Sequence, residues 1–488
     1  MLRRSFSCRN YITLGFCFSI IIFLLYLKTL APTVLWGDSA RLAKSSYILE
    51  LDYDPNNHPL HTLVGSLFNL IPLGDIAWRQ NLMSAFFGAL TVFLLYIVVF
   101  KITNSKLSSL SAMLSLAVSH VFWHLSVINE NYALLAFFFV LLILILLLWR
   151  ENKRKELLYL LFFLSGLGIS NNSLIFLFMP VYVIYILSFK QGREAFSRKD
   201  LFVFSVCFLS GLFILILPMF WKRHTIFEII HRSIARPFKQ YVSIGKVFLE
   251  IIRYPFYLFY QFPLAGFLLG LKGIKRLTKS DKKLLLFLLA VAFIDIIFAS
   301  GYARTRQIYL ILPSFLIFAV FIGIGFQDAR NRFVQIVLLI LLICLPVLLY
   351  YNIPAILSKL NIDVVKTRSV PYRDNNKYFL LPDKSNYFGA YRYGREALAT
   401  AKPNSIIIAD FTTAAVLDYF CIVEDKVRPV KIIFSESIDI PRFIADNIKI
   451  NNIYLADIEE SYYDIKRLKD EYRFVPEGPI FQVLKKDD

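Results

Sequence analysis

The residues of this chain best suited to chemistry stand in one polar stretch, Trp36 to Pro59, between long apolar runs. It opens Trp36-Gly37-Asp38-Ser39-Ala40-Arg41, continues through Glu50, Asp52 and Asp54, and closes Asn56-Asn57-His58-Pro59. A carboxylate directly after a Trp-Gly pair, at the end of a membrane helix, is expected at headgroup level, where Trp concentrates. There Asp38 could take a proton as general base, within reach of the polar end of a lipid-borne substrate. The structural alternative is that Asp38 caps a helix beginning near Ser39.

Further candidates fall in other loops on the same side. The loop after the seventh apolar run carries Lys222, Arg223, His224, Arg232, Arg236 and Lys239, and the loop after the ninth carries Arg304 and Arg306. Basic residues on that side run against the orientation bias of membrane proteins. They suit an anionic ligand such as a lipid-linked phosphate, or contact with lipid headgroups. His58 and Glu130 share the membrane depth of Asp38, so each could orient a substrate; a turn fixed by Pro59 and a charge left in water are the plainer roles. Asn171 and Asn172, at a tight apex, could bond sugar hydroxyls or serve the turn alone. His120 and His124 have metal-compatible i,i+4 spacing beside Trp123, but are read as interfacial side chains. Asp295, inside an apolar run, is read as a structural tie facing the bundle interior.

The elements that must position these residues are membrane helices. Of 488 residues 57% are hydrophobic, and mean hydropathy is +0.58, which excludes a soluble chain. Runs of about 20 apolar residues span a bilayer, and eleven are expected: 11–30, 79–100, 107–126, 132–149, 157–170, 173–189, 201–220, 247–271, 284–300, 307–325 and 333–351. The fifth and sixth, parted by Ser170-Asn171-Asn172, suggest a tight hairpin. The +19 charge sits mostly in the alternate loops, as orientation demands, so no nucleic-acid partner is expected. That bias puts the amino terminus in the cytoplasm, and both Asp38 and the carboxy-terminal part outside it. Cys8, Cys17, Cys207, Cys344 and Cys421 show no paired spacing, so neither a disulfide nor a cysteine metal site is expected. The run 11–30 is too long for a cleaved signal and reads as an anchor.

From about residue 352 the pattern changes. Strands are expected at Ser405–Ala409, Val430–Phe434, Ile453–Ala456 and Ile480–Leu484, with helices at Thr412–Phe420, Pro441–Ile448 and Tyr462–Tyr472. The fold class is thus a polytopic α-helical membrane protein (1–351) followed by an extracytoplasmic linker and a small α/β domain with a mainly parallel sheet (352–488). Residues 361–395 read as an irregular linker.

Several segments resemble a multi-pass family associated with protein O-mannosyltransferases and the wider GT-C class of glycosyltransferases. An Asp-Ser-Gly-Glu-Leu-like motif reads Asp38-Ser39-Ala40-Arg41-Leu42, and a His-Pro-Pro-Gly-like turn reads His58-Pro59-Leu60-His61. Arg79-Gln80-Asn81-Leu82-Met83-Ser84-Ala85 matches a third motif, and Glu130-Asn131-Tyr132-Ala133-Leu134 a fourth. The similarity covers roughly 30–190. It implies transfer of a sugar, mannose-like, from a polyprenyl phosphate to an acceptor hydroxyl with inversion, the acceptor being protein or glycan. Asp38 would be the base; His58, Glu130, Tyr132, Asn171 and Asn172 would bind sugar or acceptor; Arg304, Arg306, Arg223, Arg232 and Arg236 would bind the donor phosphate. Arg41 stands where the family has an acid, which removes an obvious second ligand for a divalent cation. Glu50, Asp52, Asp54 and Glu130 leave such a cation open, but no metal site is assigned. A flippase for lipid-linked saccharides predicts internal repeats and an ionisable pathway, of which only Asp295 is visible. A non-catalytic assembly protein leaves the loop motifs unexplained.

Overall fold

The computed structural model describes residues 2–51, 58–222, 227–228, 244–301, 307–362, 364–365, 367–424 and 429–486. The chain is an integral membrane protein, mostly helical, closed by a small sheet. Among the described residues, six helices are long and apolar enough to cross a bilayer: Tyr11–Lys28, Ile76–Thr103, Tyr132–Asn152, Arg198–Leu217, Lys282–Ser300 and Arg332–Lys359. The other five expected spans are shorter or interrupted. The tight hairpin is Lys155–Ile169 and Leu174–Leu187. The span expected over 107–126 is two helices, Lys106–Ala117 and His120–Ser126, broken at Val118-Ser119. That over 247–271 stops at Gln261 and restarts at Ala265, because Pro263 has no N–H to donate and Leu264 takes a φ of 45°. Its first part, Ile244–Gln261, leaves Ile244, Phe248 and Phe256 exposed. The span over 307–325 begins as a single turn, Gln307–Leu310, before Leu312–Phe326.

Local chemistry sets the helix ends. Asp75 accepts from the Trp78 N–H at 2.6 Å to start Ile76–Thr103, and Asn104 ends it in the left-handed region. Every residue of Leu312–Phe326 is buried, so this helix lies at the core of the bundle. Small residues let neighbouring backbones approach it. A Cβ on Gly273 would lie 1.9 Å from the Phe321 carbonyl oxygen, and one on Gly325 2.0 Å from that of Leu269. Asp295 does tie the bundle: its Oδ2 accepts from Ser314 N at 2.9 Å and Ser314 Oγ at 2.7 Å.

The carboxy-terminal sheet has strands β1 (Ser405–Ala409), β2 (Val430–Phe434), β3 (Ile453–Leu455), β4 (Tyr472–Glu477) and β5 (Ile480–Lys485), in the order β2-β1-β3-β5-β4. The first three are parallel, with Ile407 opposite Ile432 and Tyr454; β5 runs antiparallel to β3 and to β4. Strand β4 was not expected from sequence. The helix expected over Tyr462–Tyr472 is instead two turns, Glu460–Tyr463 and Ile465–Leu468, because Asp464 adopts a φ of 54° between them. The linker is more regular than its composition suggests, holding helices Asn375–Leu380 and Gly389–Thr400.

Candidate active site

Asp38 is the first residue of the helix Asp38–Ile48, after Gly37 at a φ of 62°. Gly37, not Asp38, occupies the cap position, so capping is not what the carboxylate does. Instead Asp38 Oδ1 accepts from Arg41 Nε at 3.1 Å and from a second Arg41 nitrogen at 2.9 Å. Both bonds end on Oδ1, and Oδ2 carries no hydrogen bond from the described residues. The Asp38 side chain is 38% exposed and that of Arg41 18%. The result is a partly exposed carboxylate held in one orientation, with one oxygen free of hydrogen bonds from the described residues.

Buried asparagines fix the backbone behind it. Asn81 Nδ2 donates to the carbonyls of Ala31 and Thr33 at 2.9 and 3.2 Å, and its Oδ1 accepts from Asn129 N at 2.7 Å. Asn129 Nδ2 then donates to the Ser39 carbonyl at 2.9 Å, one residue from Asp38. Asn81 falls in the third sequence motif and Asn129 directly precedes the fourth, with no role read for either from sequence. The available signal was an amide residue, fully buried here, flanking an apolar run.

A second knot joins three loops. His58 Nδ1 lies 2.5 Å from the Asn171 carbonyl oxygen, and Asn131 Nδ2 lies 2.9 Å from His58 Nε2. A proton on Nδ1 satisfies both contacts. Asn171 Nδ2 donates to the Asn131 carbonyl at 3.1 Å and Asn172 Nδ2 to Asn131 Oδ1 at 2.8 Å. The structure brings His58, Asn171 and Asn172 together, and these contacts turn their polar atoms toward one another. Glu130 is half-buried in the same loop, and Tyr132 begins the next helix, also half-buried. His61, close by and buried, has its imidazole pushed down to about 3, first by burial and then by the electrostatic influence of its neighbours His58 and Arg41. Arg223, Arg232, Arg236, Arg304 and Arg306 lie outside the described residues, as do Asp52 and Asp54.

Two expectations are corrected. Trp36 does not face lipid headgroups: it is 2% exposed, its Nε1 donates to the Tyr387 hydroxyl at 2.5 Å, and its ring packs on Tyr393. Burying an indole requires a partner for its N–H, and the linker supplies one. His120 and His124 do not face lipid either, being 3% and 2% exposed. Their helix turns inward beneath Tyr350, whose hydroxyl accepts from His120 N at 3.1 Å, and their rings pack on Tyr260, Tyr350 and Tyr309. Among the described residues no group of three or more His, Cys, Asp or Glu could hold a metal ion. Arg41 occupies Asp38 Oδ1, an oxygen that a divalent cation would otherwise need.

Residues 38–195, about a third of the chain, match the family model described as the Protein O-mannosyl-transferase TMEM260 N-terminal domain. The curated Protein O-mannosyl-transferase TMEM260 of Mus musculus is 33% identical over 107 residues; the match spans 22% of this chain and 15% of that protein's length. Over the whole chain the fold is similar to ArnT from Cupriavidus metallidurans, solved bound to undecaprenyl phosphate. The TM-score is 0.59 at 11% identity, covering 97% of this chain and 98% of that one. The mycobacterial arabinofuranosyltransferase AftD superposes with a TM-score of 0.50 at 11% identity, covering 92% of this chain and 35% of that one. By fold, then, the chain is similar to these membrane glycosyltransferases, and its first polar loop and following helices carry the sequence signature of the TMEM260 N-terminal domain.

Proposed function

We propose that the protein transfers a sugar from a polyprenyl-phosphate donor to an acceptor hydroxyl on the extracytoplasmic face, with inversion at the anomeric carbon. The observation that carries this reading is the partly exposed Asp38 carboxylate, fixed through one oxygen, with the other free of hydrogen bonds from the described residues. As the acceptor oxygen bonds the anomeric carbon, the bond from that carbon to the phosphate oxygen breaks. The acceptor proton goes to Asp38 Oδ2, and the electron pair leaves with the phosphate. A carboxylate at hydrogen-bond distance can serve as base in such a step. The leaving phosphate needs fixed positive charge, and Arg304, Arg306, Arg223, Arg232 and Arg236 are proposed to supply it. Glu130 and Tyr132, beside the Asn131 knot, are the proposed contacts to sugar or acceptor. The TMEM260 likeness over 38–195 favours a mannose-like sugar and a protein acceptor.

The test is incubation of the purified full-length protein with a panel of polyprenyl phospho-sugars and hydroxyl-bearing peptides. Transfer or slow hydrolysis of one donor is expected, weakened in donor affinity by Arg304→Ala with Arg306→Ala. A folded protein that neither transfers nor hydrolyses any of them contradicts the reading.

A further inference from the structure

The edge of the carboxy-terminal sheet that usually receives ligands is turned toward Asp38. In open α/β sheets ligands bind beyond the carboxyl ends of the strands, where successive connections leave in opposite directions. Here that point lies between β1 and β3, since β2 flanks β1 on its other side. Asp410 directly follows β1, and Asp457 lies two residues beyond the end of β3. Arg368 of the linker occupies the crevice between them, pairing with Asp410 and, at 2.8 Å, with Asp457, its guanidinium over the Tyr462 ring.

Asp410 is in turn the cap of the helix Phe411–Tyr419. It accepts from Thr412 N at 2.9 Å and Thr413 Oγ1 at 2.6 Å. That capped turn touches the catalytic loop. Gly37 N donates to the Thr412 carbonyl at 3.3 Å, the Arg41 guanidinium lies 5.9 Å from the centre of the Phe411 ring, and Lys44 reaches Asp418 at 3.4 Å. The linker grips the other end of the same loop, through Lys384 N to the Thr29 carbonyl at 3.0 Å and Tyr387 to Trp36.

We infer that the carboxy-terminal domain is a working part of the active centre: its Asp410–Thr412 turn, locked by Arg368, clamps Gly37 and Arg41 and so sets the aim of the Asp38 carboxylate. The crevice that would hold a ligand holds the protein's own Arg368. Phe411 is a positioning residue; it acts on Asp38 through Arg41 and touches no reacting atom. This inference rests on the proposed reaction for its kinetic consequence, but not for its structural one.

The experiment compares full-length wild type, Phe411→Ala, Phe411→Leu and Lys44→Met by transfer kinetics and by amide hydrogen exchange over residues 38–48. Misaiming a base is expected to lower kcat by about 10- to 100-fold, with the donor KM within about twofold and the folded fraction unchanged. Exchange over 41–48 should quicken roughly tenfold as the helix loses its outer contact. Phe411→Leu should recover most of both effects, and Lys44→Met should show a smaller change of the same sign. A kcat that holds, or that falls only with donor affinity, overturns the clamp. If wild type transfers no sugar, the proposed reaction fails on its own, and exchange that is equal in Phe411→Ala and wild type still overturns the clamp.

Discussion

Two arginine–carboxylate pairs use the same chemistry for opposite ends. Arg368 is buried with Asp410 and Asp457, their side chains 8%, 2% and 14% exposed, and tyrosine and threonine hydroxyls bond Asp410 as well. Arg41 and Asp38 form a partly exposed pair in which, among the described residues, only Oδ1 is engaged. Burial would raise the Asp410 carboxyl, but Arg368 beside it, with the bonds from Thr413 and Thr412, holds it below the ordinary range. Asp457, with fewer partners, is carried upward by burial against the pull of Arg368. A fully satisfied buried carboxylate can only build; one that is partly exposed can also react. That difference, more than residue type, separates the structural acid from the catalytic candidate.

The comparison breaks most visibly at the buried pair. Arg368→Met should cost about 3–5 kcal/mol of stability by leaving two carboxylates without their cation, read as a fall in the unfolding midpoint of the detergent-solubilised protein. Arg41→Met should leave that midpoint nearly unchanged, because exposed pairs contribute about 0–1 kcal/mol. It should instead lower kcat about tenfold by freeing the carboxylate. If Arg41→Met unfolds the protein or Arg368→Met does not, the two pairs have been assigned the wrong way round.

Asn129→Ala sharpens the contrast from the other side of Asp38. Removing its bond to the Ser39 carbonyl should cost about 1–3 kcal/mol, since a buried acceptor loses its donor, and should lower kcat as well. The smallest effect concerns acid. His61 has a folded value near 3 against an ordinary 6.5, so the unfolded chain binds the extra proton between those limits. Stability should therefore fall as pH drops from 6.5 toward 3, and His61→Gln should flatten that slope in melts taken across the range. An unchanged slope would mean that His61 does not set it.

Much of this was legible in the sequence where one physical pattern dominated. Apolar length located the helices, and β-branched runs located β1 and β2 to the residue. Interruptions were harder: the breaks at Val118-Ser119 and after Gln261 lie inside runs whose hydropathy hardly changes. Asp38, His58, Asn171 and Asn172 stood out by chemistry and position. Their partners were not, because Asn131 with His58, or Thr412 with Gly37, meet across loops far apart in the chain. Trp36 and the two histidines were misplaced for one reason. Amphipathic rings look interfacial in sequence, and only the packed linker and the inward turn of His120–Ser126 show that they are covered.

The measurement that bears most directly on this account is sugar transfer by Asp38→Asn, assayed at matched amounts of folded, membrane-inserted protein. Amide for carboxylate keeps the shape and removes the proton acceptor, so turnover should fall by about 10²- to 10⁴-fold while donor binding persists. Turnover equal to that of wild type would contradict it.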